Sequence, residues 1–170
     1  MRSFLFSFLI SLFSLLLPSC GFTPVYGDHG AGSPGVQAKF DQVSIENIPD
    51  QSGVILRNNL LDRLYQNGEP ADPQYILKVA PIAERETDLD ITPSSTATRA
   101  EMRLLTTIVL RDRTTKKELM RRDLIAIGSY NILGSEFTTL MAKQHVRENA
   151  LDDLAQQIET QLALYFNRVP

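Results

Sequence analysis

The stretch "MRLLTTIVLRDRTTKKELMRRDLIAIGS", residues 102–129, decides the fold. Two apolar runs, residues 102–110 and 118–129, flank the charged segment Arg111-Asp112-Arg113-Thr114-Thr115-Lys116-Lys117. In the first run Leu104, Thr106, Ile108 and Leu110 fall on one face of a strand, while Leu105 and Val109 point the other way. Runs of this length separated by a polar turn read as two strands joined end to end.

Upstream, residues 74–82 alternate at Tyr75, Leu77 and Val79, a further strand. Residues 39–48 carry Phe40, Val43, Ile45 and Ile48 and read as the first strand. Between these two, Leu56, Leu60 and Leu64 lie four apart, and Leu61 and Tyr65 widen the stripe into a helix face. Asp50 or Ser52 is its candidate N-cap, and Asn67-Gly68 its stop. Residues 87–98 are polar, with Asp88, Asp90, Pro93 and a Ser-Ser-Thr cluster, and read as a loop.

Downstream, Leu151, Leu154, Ile158, Leu162 and Tyr165 form a second helical stripe, which continues the weaker Phe137, Leu140 and Met141. Ser135 is placed to cap this helix, and Glu136 meets the positive end of its dipole. A run this long invites a break near its start. The order is β-α-β-β-β-α, without internal repeats. It predicts an α+β fold: a sheet of about four strands with two amphipathic helices packed on one face.

The N-terminus has a different character. After Arg2, residues 4–17 are apolar apart from Ser7, Ser11 and Ser14. As a helix this run spans roughly 21 Å, short of the ~30 Å hydrocarbon core, so it reads as a secretory signal. Leu17-Pro18-Ser19-Cys20 then resembles a bacterial lipobox, with an aliphatic residue at −3 and a small one at −1. Cys20 is the sole cysteine of the chain. The alternative, a plain secretory signal with an incidental cysteine, leaves a lone thiol in an oxidising compartment without a disulfide partner. Cys20 is therefore expected to carry diacylglycerol and, on its freed amino group, a further acyl chain such as palmitate. Two or three chains hold a protein to a membrane where one does not. The expected organisation is a signal peptide over 1–19, a lipidated N-terminus and Gly/Pro/Ser-rich tether over 20–35, and one domain over 36–170.

Loss of the signal removes Arg2, leaving 16 basic residues against 20 acidic ones, a net charge of −4. A mildly acidic chain without a basic run is a poor binder of phosphate backbones, so no nucleic acid partner is expected.

A search for chemistry returns little. His29 falls in the tether and His145 on the long helix, and neither has a second ligand at metal spacing. There is no Gly-x-Ser-x-Gly elbow, phosphate loop or His-Glu-x-x-His. Glu84, Glu86, Asp88 and Asp90 alternate as calcium ligands might, yet lack the glycine turn and terminal bidentate glutamate of known loops, and a solvated loop is the better reading. Asp152-Asp153 should face water, opposite the Leu151/Leu154 stripe. No catalytic residue, no metal and no enzyme are expected.

Cys20-Gly21-Phe22 with Pro24-Val25-Tyr26 after a lipobox, the element order, and Thr98-Arg99-Ala100-Glu101 leading into a strand together resemble the LPS-assembly lipoprotein family LptE in its alphaproteobacterial form. The resemblance runs over essentially the whole chain, and "CGFTPVYG" is its most specific stretch. It implies a non-enzymatic lipoprotein on the periplasmic face of the outer membrane. Such a protein plugs the β-barrel LptD and helps deliver lipopolysaccharide (LPS) to the cell surface, with no cofactor beyond its acyl chains. Gly21, where enterobacterial lipoproteins retained in the inner membrane tend to have aspartate, fits outer-membrane sorting. The rival reading is an accessory lipoprotein of another envelope lipid-transport system. The family associates the loop between its second and third strands with LPS, and basic residues there matter. Around residues 87–98 the basic residues are Arg85, Arg99 and Arg103, with Arg99 nearest the loop tip. These three are the candidate LPS ligands, and a surface ion pair of Arg99 with Glu101 or Asp90 is the bland alternative.

Overall fold

The computed structural model describes residues 34–65, 68–91 and 97–168. The elements are α1 (Pro34–Phe40), β1 (Val43–Ile45), α2 (Asp50–Leu64), β2 (Tyr75–Val79), β3 (Ala83–Ile91), β4 (Ala97–Asp112), β5 (Glu118–Asn131) and α3 (Glu136–Arg168). The α+β class expected from the sequence holds, with five strands and three helices among the described residues. The signal peptide, Cys20 and the tether as far as residue 33 lie outside the described residues.

β4 organises the sheet. On one side it pairs antiparallel with β5, from Arg99↔Asn131 to Arg111↔Glu118, with an irregularity at Leu110/Arg111. On its other side β2 and β3 lie end to end, β2 against the last third of β4 and β3 against the first two thirds. Pro81 sits in the break between them. It has no N–H to offer a ladder, and the register slips by one residue across it, from Val79↔Ile108 to Ala83↔Leu105. Thr106 Oγ1 donates to the Ala80 carbonyl at 2.8 Å, which accounts for a buried hydroxyl in an otherwise apolar row. β1 adds in parallel to β2, joined to it by the α2 crossover.

The pleat sorts the side chains. Ala100, Met102, Leu104, Thr106, Ile108 and Leu110 of β4 all point to one face and all are buried. α2 covers this face with Leu56, Leu60 and Leu64, and α3 with Leu151, Leu154, Ile158 and Leu162, each wholly buried. Arg63 ties the two helices together, donating to both carboxylate oxygens of Asp152 at 2.8 and 3.0 Å and reaching Glu159 at 3.5 Å. Asp152 itself is exposed, as its position opposite the stripe predicts.

Several local expectations are corrected. Val36 and Phe40 are four apart and both buried, so residues 34–40 form a helical turn onto the core, and β1 shrinks to three residues. Neither Asp50 nor Ser52 caps α2: Pro49 occupies the N-cap position with no side-chain cap, and Asp50 adopts a φ of 69°. Gly53 lies close over the entering chain, where a Cβ would stand 2.7 Å from the Ile48 carbonyl oxygen. The supposed loop over 87–98 is largely strand. Residues 87–91 belong to β3 and residues 97–98 to β4, while residues 92–96 lie outside the described residues.

α3 runs unbroken through 33 residues, and Ser135 Oγ accepts from the Thr138 N–H at 3.5 Å at its start. Its first turns leave the core behind. Phe137, Leu140 and Met141 are exposed at 70%, 58% and 46%, so the buried stripe begins only at Ala150. Over this outer stretch the helix is held by other means. Arg147 grips Glu84 of β3 with two hydrogen bonds of 2.8 Å, and Lys143 pairs with Glu86 at 2.6 Å. The helix also presses on the sheet at Gly128, where a Cβ would fall 2.5 Å from Val146 Cγ1. The acidic alternation of β3 is thus the hydrophilic underside of a strand, matched to cations on α3.

Candidate functional site: the uncovered face of the sheet

Helices pack on one side of the sheet, and the opposite side of the described structure is open. Its residues are the odd-numbered ones of β3, β4 and β5, because cross-strand partners share a face. Arg85 stands directly opposite Arg103, and Leu89 directly opposite Arg99. Arg103 in turn neighbours Ile127 on β5, and Arg99 neighbours Asn131. All three arginines singled out from the sequence therefore occupy one surface.

Their partners differ. Arg99 donates to the Ser129 hydroxyl at 2.7 Å. Glu101, expected as a candidate partner of Arg99, instead accepts from Arg103 Nε at 2.5 Å. Arg85 makes no ion pair with any described acid. The neighbouring carboxylates that might have neutralised it, Glu84 and Glu86, point to the other face and are taken by Arg147 and Lys143. Like charges directly opposite on a ladder are unfavourable by up to about 1 kcal/mol. An Arg–Arg pair with one unneutralised member is a good acceptor for an anion, since a guanidinium grips phosphate in a bidentate fork.

Around the arginines the face is apolar. Ile125 is 42% and Ile127 54% exposed, and Leu89 and Leu105 are half-buried beside them. Cations set in exposed apolar surface suit an amphiphile that is acidic at one end and greasy at the other. Sequence reasoning placed Arg85 beside a loop and so missed its register with Arg103. The usable signal was the two-residue period of residues 84–91, where acids alternate with Arg85, Thr87, Leu89 and Ile91.

Among the described residues no group of three His, Cys, Asp or Glu side chains is disposed to hold a metal, and none of their helices is long and apolar enough to cross a membrane. His145 is exposed and shares a hydrogen bond with Asn149 at 3.2 Å.

An open, arginine-bearing sheet backed by helices on one face, with a single core, defines an α+β domain. The chain belongs to the LptE lipopolysaccharide-assembly family, whose sequence profile matches residues 40–162. This is a family of non-enzymatic envelope lipoproteins that act in LPS assembly and need no cofactor. No curated protein sequence matches the chain. Solved structures do. A minor lipoprotein from Acinetobacter baumannii is 27% identical with a TM-score of 0.61, over 77% of this chain and 95% of that one. A Caulobacter crescentus CB15 protein described as a lipoprotein is 20% identical with a TM-score of 0.63, over 78% and 96%. The rare lipoprotein B of Shewanella oneidensis is 13% identical with a TM-score of 0.57, over 72% and 92%. These last two are similar in fold.

Proposed function

We propose that this chain is an outer-membrane lipoprotein, acylated at Cys20 and held on the periplasmic face, that forms a plug-like complex with the LptD β-barrel and assists LPS delivery to the cell surface. Residues 20–35 lead from the anchor to the domain over 36–170, and the lipid is its only covalent addition. On this reading Arg85, Arg99 and Arg103 receive acidic groups of LPS, and the apolar rows of Ile125, Ile127, Leu89 and Leu105 lie along its acyl region.

The observation that carries the reading is the Arg85–Arg103 pair on the uncovered face, within a family that acts in LPS assembly. The partner is tested by pull-down from solubilised outer membranes with mass-spectrometric identification. A plug co-purifies with one heat-modifiable barrel. Recovery with the subunits of a different envelope lipid transporter, and no barrel, overturns the partner in favour of that alternative. The ligand is tested separately, with purified protein and LPS at fixed salt. Arg99→Asp should weaken binding while thermal stability and barrel association persist, and wild-type affinity would reduce Arg99 to scaffold.

A further inference from the structure

Phe40, at the end of α1, meets Phe166 near the end of α3 with 6.4 Å between ring centroids, and Phe166 meets Tyr75 at 5.2 Å. Tyr75 is in register with Asp112, and the Arg113 N–H donates to the Gln74 carbonyl at 2.9 Å. The first described element, the C-terminal end of α3 and the β4–β5 turn therefore share one end of the molecule. The Arg85–Arg103 pair lies toward the opposite end of β4, whose 16 residues extend roughly 50 Å.

The shared end is basic. Arg111, Arg113, Lys116, Lys117, Arg121 and Arg122 fall within residues 111–122 against Asp112 and Glu118, in a chain whose overall charge is −3. Few of these charges are consumed. Arg113 pairs with Asp72 at 2.8 Å, and Arg121 holds Glu118 at 2.9 and 2.7 Å. The Asp112 carboxylate is turned onto its own loop, accepting from the Thr114 and Thr115 N–H groups and the Thr115 hydroxyl. Lys78, Arg111, Lys116, Lys117, Arg122 and Arg168 pair with no described acid.

These cations flank both faces of the β4–β5 ribbon. On the uncovered face Lys78 and Arg121 stand in register on either side of Val109. Val109 is only 6% exposed although no helix covers it, because the long basic stems lie over it. They border a hollow of about 180 Å³ floored by Ala80, Thr107 and Val109. On the helix face Arg122 and Arg168 border a second hollow of about 110 Å³ beside Tyr165.

We infer that this end is a membrane-facing surface that lies against anionic phospholipid headgroups beside the point of anchorage. The inference rests on the reading of Cys20 as the lipid anchor. Pro34 lies fourteen Cα–Cα steps beyond Cys20, a reach of at most roughly 50 Å, and the chain enters the fold at the basic end. An acyl anchor on such a lead leaves orientation free, whereas a cationic end within a Debye length (about 10 Å at moderate salt) of an anionic surface selects one orientation. The arginine pair, nine residues back along β4 from Asp112, then stands roughly 30 Å from the basic end.

The test uses the mature-length chain with Cys20→Ser, so that no acyl chain contributes, in flotation with vesicles. Vesicles of phosphatidylethanolamine with a minor share of phosphatidylglycerol should carry the protein at low salt and release it at high salt, and phosphatidylcholine vesicles should not carry it. Partitioning should fall roughly fivefold for each cation removed, so Arg111→Ala/Lys117→Ala/Arg122→Ala should abolish flotation, and Lys78→Ala/Arg168→Ala should weaken it. Arg85→Ala/Arg103→Ala should float like the parent while losing LPS, which separates this surface from the LPS-binding reading. Equal capture by neutral and anionic vesicles, or undiminished flotation of both basic-end variants, overturns the inference. Displacement by soluble glycerol phosphate at matched phosphate concentration also overturns it, in favour of a single-phosphate site. Failure of the anchor reading would appear elsewhere, as an unacylated mature mass for the wild-type chain.

Discussion

Arg85 and Arg103 face each other across the β3–β4 ladder on the side of the sheet that no helix covers. Neither residue supports the core, and their mutual repulsion works against the hairpin. Arg85→Thr should therefore raise stability slightly, by up to about 1 kcal/mol, while weakening LPS binding. Paired melting and binding measurements read both signs. A variant that loses stability and keeps LPS affinity would assign Arg85 a scaffolding role.

The grip of Arg147 on Glu84 makes the outer half of α3 sensitive to acid. The hydrogen bonds from Arg147 hold the Glu84 carboxyl below its ordinary value of 4.5, with burial opposing. A carboxyl depressed in the folded state contributes stability above its ordinary value, and that contribution disappears as pH falls through the folded value. Both side chains are partly solvated, so the effect should stay within about 1 kcal/mol. Arg147→Ala should melt earlier than wild type at neutral pH, with the two curves converging well below pH 4.5. A gap that widens in acid would contradict this assignment.

Leu154 and Ile158 are wholly buried beneath the sheet, so replacing either with alanine should cost on the order of 2–5 kcal/mol. Asp152→Ala removes an exposed pair with Arg63 and should cost no more than about 1 kcal/mol. Chemical denaturation of the three variants checks the helix orientation, and equal midpoints would refute it.

Gly128 is where the outer part of α3 touches the sheet. A methyl at that position meets Val146 Cγ1 at 2.5 Å, so Gly128→Ala should cost roughly 1–3 kcal/mol. Adding Val146→Ala should recover part of the loss, since the second change removes the atom in the way. A double-mutant cycle with no coupling would mean that helix and strand are farther apart.

Cys20→Ser should remove acylation and leave an uncleaved or soluble periplasmic form. Fractionation and intact mass decide it: a Ser variant that stays with membrane lipid at the mature mass, in cells lacking other copies and partners, would refute the lipobox reading.

The two long strands, the Leu56–Leu60–Leu64 face and the Leu151–Ile158 stripe were legible in the sequence because each buries one side. Burial of one side imprints a period of 2 or 3.6 on the residue order. β3 was not legible as a strand, since one of its faces is acidic and the other mixes Arg85 and Thr87 with Leu89. Glu84 and Glu86 point to cations about sixty residues downstream on α3, and Arg85 and Thr87 point to an open surface. The same holds for Phe137, Leu140 and Met141, which continue a helical stripe by spacing but outrun the core that would have covered them. The lipobox pattern nominated Cys20, and the family resemblance nominated Arg85, Arg99 and Arg103. Their convergence on one face was settled by the pairing register of β3, β4 and β5. Register depends on contacts between residues far apart in the chain, here across the slip at Pro81, and a one-residue shift would have sent every one of those side chains to the opposite side of the sheet.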